Sequence, residues 1–308
     1  MKRLVIVCWA ATMLAHIAGA SEPARAEIRG LKPTSIDAAL SQPEGLFVFE
    51  AASGKSIPVW TYVPEDVDAA LAPILIVMHG ASRDADRYRD EWRGPAREHG
   101  FVVIAPEFGR RDFPSSRAYN LGNVFDKDSR FPNSSKRWSF SVIEPLFDTV
   151  LDALGSDQTS YTLYGHSAGS QFVHRFMYFV DAPRAHRYIA ANAGWYTMPV
   201  ADVDFPYGLA GARITTLQIA KALGKDVWIL LGDDDTDTQH QSLRRTREAM
   251  RQGAHRFARG QAFYAAGKSA AETLGVPFRW RIGVIEGAEH RNDQMADGAA
   301  RLVVASPR

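Results

Sequence analysis

Cysteine is almost missing from these 308 residues, since the single one, Cys8, lies in an amino-terminal segment with the pattern of a leader. A chain cut behind that segment has no thiol, which excludes disulfides, thiolate metal sites and a cysteine nucleophile. Excess charge is missing too: 36 Lys and Arg face 35 Asp and Glu, a formal charge of +1, so nothing points to nucleic acid or to a polyanionic partner. Long apolar runs are scarce. The run "LVIVCWAATMLAHIAGA", residues 4 to 20, has 17 residues with a histidine among them, short of the roughly 20 that a membrane span needs. There is no internal repeat, low-complexity linker or clear internal domain boundary.

Lys2 and Arg3 precede that run, and small residues follow it at "AGA" and "ARA", the order of parts in a secretory signal peptide. Cleavage is expected after Ala20 or Ala26, giving a signal peptide over 1–26, a domain over 27–308, and a periplasmic or secreted protein without a stable membrane anchor. Cys8 comes too early, with too few apolar residues before it, for a lipoprotein. Removing three basic residues and one acidic residue with the leader leaves a formal charge of −1. With 46% apolar residues the rest is long enough and apolar enough for one large α/β core.

Eight short runs rich in β-branched and aromatic residues read as strands: "GLFVFEAA", "IPVWTYVP", "PILIVMHG", "FVVIAPEF", "SYTLYGHS", "RYIAANAG", "DVWILLGDD" and "FRWRIGVIEGAEH". From Pro73 onward they lose polar alternation, as parallel strands covered on both faces do. The first two alternate and flank "SGKS", which predicts an antiparallel hairpin leading into a mostly parallel sheet. Helices are expected over Ala85 to His99, Ser141 to Leu154, Ala168 to Val180, a long one within Gln239 to Leu274, and Asn292 to Val304. Two connections, Gly109 to Trp138 and Tyr196 to Ile214, are too long for turns and rich in Pro, Asn and aromatics, so they read as ordered loops over a site.

"YTLYGHSAGSQFVHRF" places Ser167 between Gly165 and Gly169 at the join of a strand run and a helical one, the setting of a nucleophile elbow. A serine held in a strained turn needs neighbours without side chains, and the following helix aims its first N–H groups at developing negative charge. An acyl-transfer serine also needs a carboxylate and a histidine base, in this architecture later in the chain and in that order. The seventh strand run ends in "GDDDTDTQH", with Asp233, Asp234, Asp235 and Asp237; Asp235 is favoured, then Asp237 and Asp233. A solvated acidic loop in which Asp237 or Thr238 caps a helix is compatible with that reading.

The last strand run ends in "GAEHRND", which puts His290 in a loop before the final helix, 123 residues after the serine. His99 falls at a helix end, His166 points away from its neighbour's face, His174 and His186 lie in or after the elbow helix, and His240 and His255 fall on the long helix, so His290 is the expected base. The oxyanion hole would take one backbone donor from Ala168 and a second from "VMHGAS", at Ala81. "DDDTD" lacks the glycine and the spaced oxygen ligands of a calcium loop; no metal and no cofactor is expected.

Together HGAS, GHSAG, the GDDD loop and GAEH, in this order at strand ends, resemble the α/β-hydrolase superfamily over roughly Gly45 to Val304. With the leader they are most similar to secreted bacterial esterases of the poly(3-hydroxybutyrate) depolymerase-like and feruloyl-esterase-like groups. The resemblance implies an α/β-hydrolase fold with an eight-stranded sheet, a catalytic triad of Ser167, Asp235 and His290, no cofactor, and a small-molecule or oligomeric ester as substrate. The chain is expected to depart from cutinase-like and many depolymerase enzymes in having no disulfides and no appended substrate-binding domain.

Trp195 and Tyr196, after the sixth strand run, are candidates for a substrate pocket at the carboxyl edge of the sheet, or else core aromatics roofing it; the same choice applies to Trp138, Tyr119 and Tyr207. Glu107, Asn120, Asn123 and Arg137 either meet a polar substrate or hold their own loop. Arg244, Arg245, Arg247, Arg251, Arg256 and Arg259 read as a solvated outer helix face. Two alternatives to an esterase stay open, a peptidase or amidase using the same triad and a non-catalytic binding protein on the same fold.

Overall fold

The computed structural model describes residues 31–127 and 131–305. The signal peptide expected over 1–26 lies outside the described residues. The sheet and all of its helices belong to the unit Pro33–Arg308.

Eight strands form one sheet in the order β1-β2-β4-β3-β5-β6-β7-β8. They are β1 (Glu44–Glu50), β2 (Ser56–Tyr62), β3 (Ile74–Met78), β4 (Val102–Pro106), β5 (Tyr161–His166), β6 (Ala185–Ala191), β7 (Val227–Gly232) and β8 (Trp280–Ile285). Only β2 runs against its neighbours, pairing antiparallel with β1 and β4, and every pair from β4 to β8 is parallel. Each residue of β3, β4 and β5 is buried, the consequence of covering both faces of a parallel sheet. Helices α1 (Ile36–Leu40), α4 (Ile143–Leu154), α5 (Ala168–Phe179), α6 (Thr216–Leu223) and α8 (Arg256–Leu274) lie on one side, and α2 (Ala85–Glu91), α3 (Arg93–His99) and α9 (Asn292–Val304) on the other.

Helix α5 is the central one, with all twelve residues buried. Phe172 and Phe176 bring it against Phe108, Tyr119, Phe140 and Tyr188, each ring contributing about 2 kcal/mol by burial.

Two helical expectations change. The span Ala85 to His99 is two helices that meet at Trp92, whose fully buried ring packs edge-on against Phe101 and Tyr164. The long helix starts only at Arg256, after the short α7 (Arg247–Gln252) and a break at Gly253. Residues 233–246 are loop, so His240 is not helical and Asp237 accepts from the Gln239 N–H in a turn rather than capping a helix. The Arg-rich stretch is a solvated face only in part: Arg244, Arg245, Arg247 and Arg251 are exposed, but Arg256 is 1% and Arg259 0% exposed. Helical periodicity predicts which residues share a face but not which face meets the core, and here these two arginines turn inward onto a carboxylate and backbone carbonyls.

Candidate functional site

Parallel strands bring their carboxyl ends to one edge, and the loops after β3, β4, β5, β6, β7 and β8 gather there. Ser167 is the only residue between β5 and α5, so it alone makes the reversal, with φ 58° and ψ −112°, a strained backbone for any residue but glycine. The close approach of strand and helix requires its two glycines. A Cβ on Gly165 would sit 2.3 Å from the Gly169 backbone, and one on Gly169 would sit 1.9 Å from the Met78 carbonyl oxygen.

Ser167 Oγ lies 3.0 Å from His290 Nε2, and His290 Nδ1 lies 2.8 Å from Asp235 Oδ2. Burial works against the Asp235 carboxylate, but its bonds with His290 and Arg256 outweigh that and hold it below the usual carboxyl range. An ionised Asp235 only accepts, so Nδ1 of His290 carries the proton and Nε2 offers a lone pair to the serine hydroxyl. Burial pushes His290 below its ordinary value; the bond to Asp235 opposes the shift, and Arg256 and His240 reinforce it. Of the other aspartates, Asp233 accepts from the Gly287 N–H and Asp237 from the Gln239 N–H.

Neither the loop of Asp235 nor that of His290 is loose. Asn192, fully buried at the end of β6, accepts from the Gly232 N–H and donates to the Glu289 carbonyl, tying the loops of Asp235 and His290 together. Asn292 continues the anchor, accepting from Tyr164 Oη and donating to Glu91.

The loop after β3 is equally fixed. His79 Nε2 accepts from the Phe108 N–H, so Nδ1 is protonated and donates to the Gly80 carbonyl. Burial keeps this ring neutral, with its pKa lowered to about 3. Tyr119 Oη donates to the His79 carbonyl, and Arg110 donates to that of Ala81. Because Met78 and His79 abut Gly169, the Ala81 loop and the first N–H groups of α5, Ala168 among them, share one corner.

His166 does not point away from the site. Its ring lies 4.7 Å from that of His290, and Nδ1 meets Tyr88 Oη at 3.0 Å. His240 also comes close, 5.8 Å from the same ring.

Tyr196 is a correction, for it lines no open pocket: it is 0% exposed and stacked on Phe263 beside His174, because the chain after β6 turns its ring into the layer between α5 and α8. Trp195, 5% exposed, lies under the guanidiniums of Arg175 and Arg244 and against Tyr207. It is Tyr207 that reaches an open groove of about 810 Å³, walled also by Arg117, Leu121, Lys127, Phe205 and Arg244. Beside Leu121, Asn120 donates to Gln171, one helical turn past Ser167. Asn123 donates to the Arg137 carbonyl, and Glu107 accepts from Trp60 Nε1, so these two hold the fold of their own region. Among the described residues no helix is long and apolar enough to cross a membrane.

Asn192, Arg256, His166 and His240 escape a reading of the sequence. Asn192 alone leaves a trace, an Asn with φ 44° directly after a strand, in a conformation that Asn tolerates better than most residues.

No protein-family model matches the chain, and no curated protein does. Solved structures do. Poly(aspartic acid) hydrolase-1 from Sphingomonas sp. KT-1 is 42% identical with a TM-score of 0.83, over 89% of this chain and all of that one. The poly(3-hydroxybutyrate) depolymerase LpqC from Bordetella parapertussis is 32% identical with a TM-score of 0.81, over 87% and 92%. An S-formylglutathione hydrolase from Agrobacterium tumefaciens, 17% identical with a TM-score of 0.56 over 83% and 91%, shares the fold. Identity of this extent to two hydrolases over their near-complete length shows that the chain belongs to the α/β-hydrolase superfamily and is an esterase- or depolymerase-like hydrolase.

Proposed function

We propose that the protein hydrolyses carboxylic esters through an acyl-enzyme on Ser167. The observation that carries this reading is the unbroken line from Asp235 through His290 to Ser167, at 2.8 and 3.0 Å, ending on the strained residue of the elbow. His290 takes the Ser167 proton as Oγ attacks the acyl carbon, and Asp235 holds the tautomer and stabilises the imidazolium. The N–H groups of Ala81 and Ala168 receive the oxyanion. His290 then returns the proton to the leaving alcohol, and water cleaves the acyl-enzyme with the same base.

A second reading, amide hydrolysis by the same groups, is favoured by the 42% identical relative named for poly(aspartic acid), a polymer joined by amide bonds. The groove wall suits an acidic oligomer, with Arg117, Lys127 and Arg244 outnumbering Asp126 and Asp204. The pattern of residues 1–26 supports export to the periplasm or beyond.

Reaction with a fluorophosphonate, followed by turnover of p-nitrophenyl esters of increasing acyl length beside a matched anilide, tests both readings. Stoichiometric labelling with ester turnover exceeding anilide turnover is expected. A preference for the anilide would move the assignment to an amidase, and wild-type protein that neither labels nor turns over any substrate would support a binding protein on this fold.

The pH dependence follows from the neutral imidazole. Because His290 is held below its ordinary value of 6.5, kcat/KM is expected to persist as pH falls through 6.5 and to decline only on further acidification, as the ring protonates. A half-maximal point above 6.5 in a pH–rate profile would contradict this.

A further inference from the structure

The carboxylate facing His290 is itself held by a buried cation. Arg256, 1% exposed at the first position of α8, donates from Nη1 to Asp235 Oδ1 at 3.0 Å, the oxygen that His290 does not use. Nη2 donates to His240 Nδ1 at 3.1 Å and to Ser242 Oγ at 2.9 Å. The Phe257 N–H reaches the Asp235 carbonyl at 3.3 Å, so side chain and backbone together tie the acid loop to the start of α8. A cation at a helix N-terminus opposes the helix dipole, and a buried cation requires a partner; both costs persist here because the carboxylate is fixed beside it.

From this geometry, and resting on the serine hydrolase reading above, we propose that Arg256 is a positioning residue of the triad. Its fork holds Asp235 in one rotamer, aims Oδ2 at His290, and folds residues 236–242 back so that His240 closes over the imidazole. It also sets the field at the base. The titratable and charged groups around His290 are Asp235 and His240 from the loop after β7, Arg256 from α8, and His166 from β5, backed by Tyr88 with Arg87 beside it on α2. Asp235 is the anion of that set, and Arg256 offsets its pull on the imidazole proton. Without the guanidinium, the carboxylate acts on His290 undiminished and one repelling charge is gone. Both changes favour imidazolium, so the base would be lost at higher pH.

The test is the full protein with Arg256→Met and Arg256→Lys, each concentration taken as the fraction of Ser167 that a fluorophosphonate titrates. Arg256→Met is expected to lower kcat about 10- to 100-fold per titrated site with KM unchanged, and to move the acidic limb of the kcat/KM profile up by about one pH unit. Arg256→Lys keeps the charge and loses the fork, so it should return the limb close to wild type while kcat stays about tenfold low. A purely structural arginine would reduce the titrated fraction and leave rate and limb per site unchanged, which would overturn the proposal. If Arg256→Met does not fold, the Lys variant decides alone, since wild-type kcat in it would also overturn the proposal. Wild-type protein in which Ser167 takes no label would instead overturn the triad reading beneath it.

Discussion

Ser167→Gly is expected to abolish ester turnover, by at least about 10⁴-fold, and at the same time to stabilise the protein relative to Ser167→Ala by about 1 kcal/mol. The two effects share one cause. Between β5, which ends at His166, and α5, which begins at Ala168, a single residue reverses the chain, and it does so at φ 58° and ψ −112°. Alanine removes Oγ and keeps the strained backbone, so its urea midpoint should match wild type. Glycine removes Oγ and accepts the backbone without strain, and only part of that gain is offset by its larger freedom in the unfolded chain. Residual rates with a p-nitrophenyl ester, together with urea melts of the three proteins, measure both effects. A glycine variant no more stable than the alanine variant would show that the elbow stores no strain.

Gly169→Ala should be the most damaging single methyl in the site, costing about 3 kcal/mol or more. The added carbon would stand 1.9 Å from the Met78 carbonyl oxygen and 2.9 Å from that of His79. Neither carbonyl can yield, since Met78 is paired with Gly165 in the sheet and His79 is locked by Phe108 and Tyr119. Helix α5 would have to move out, taking Ser167 away from His290. Gly94 in α3 is the control: a Cβ there meets nothing within 4 Å, so Gly94→Ala is expected to be neutral or to stabilise by up to about 1 kcal/mol. Equal melting curves for the two alanine variants would refute the close-packing account of the elbow.

Much of this arrangement is legible before any coordinates. Unalternating runs such as "PILIVMHG" and "FVVIAPEF" announce strands covered on both faces, and the structure buries every residue of β3 and β4. The hairpin around "SGKS" appears as β1 and β2 with the predicted antiparallel pairing. The elbow is legible because its constraint is local, with glycines needed two residues to either side of the serine whatever the rest of the fold does. Less of the loop after β7 is legible. Four aspartates within five residues have near-equal local prospects, and only the meeting with "GAEH", some fifty residues later, separates Asp235 from Asp233 and Asp237.

Arg256 marks the boundary most clearly. Among six arginines at helical spacing it reads as solvated, because an isolated guanidinium belongs in water. A carboxylate 21 residues earlier, made adjacent by the packing of α8 on β7, reverses that preference. Tyr196 and His240 differ from expectation for similar reasons, one turned inward by the path after β6 and the other left in a loop because no helix begins after β7 until Arg247. The sequence by itself determined the sheet, the elbow and the order of Ser167, the aspartate loop and His290, because periodicity, strand ends and turn chemistry act within a few residues. Only the tertiary structure decided which carboxylate meets His290, what holds that carboxylate, and which aromatic reaches the groove. Those outcomes depend on charges and rings that are distant in sequence and share one desolvated space.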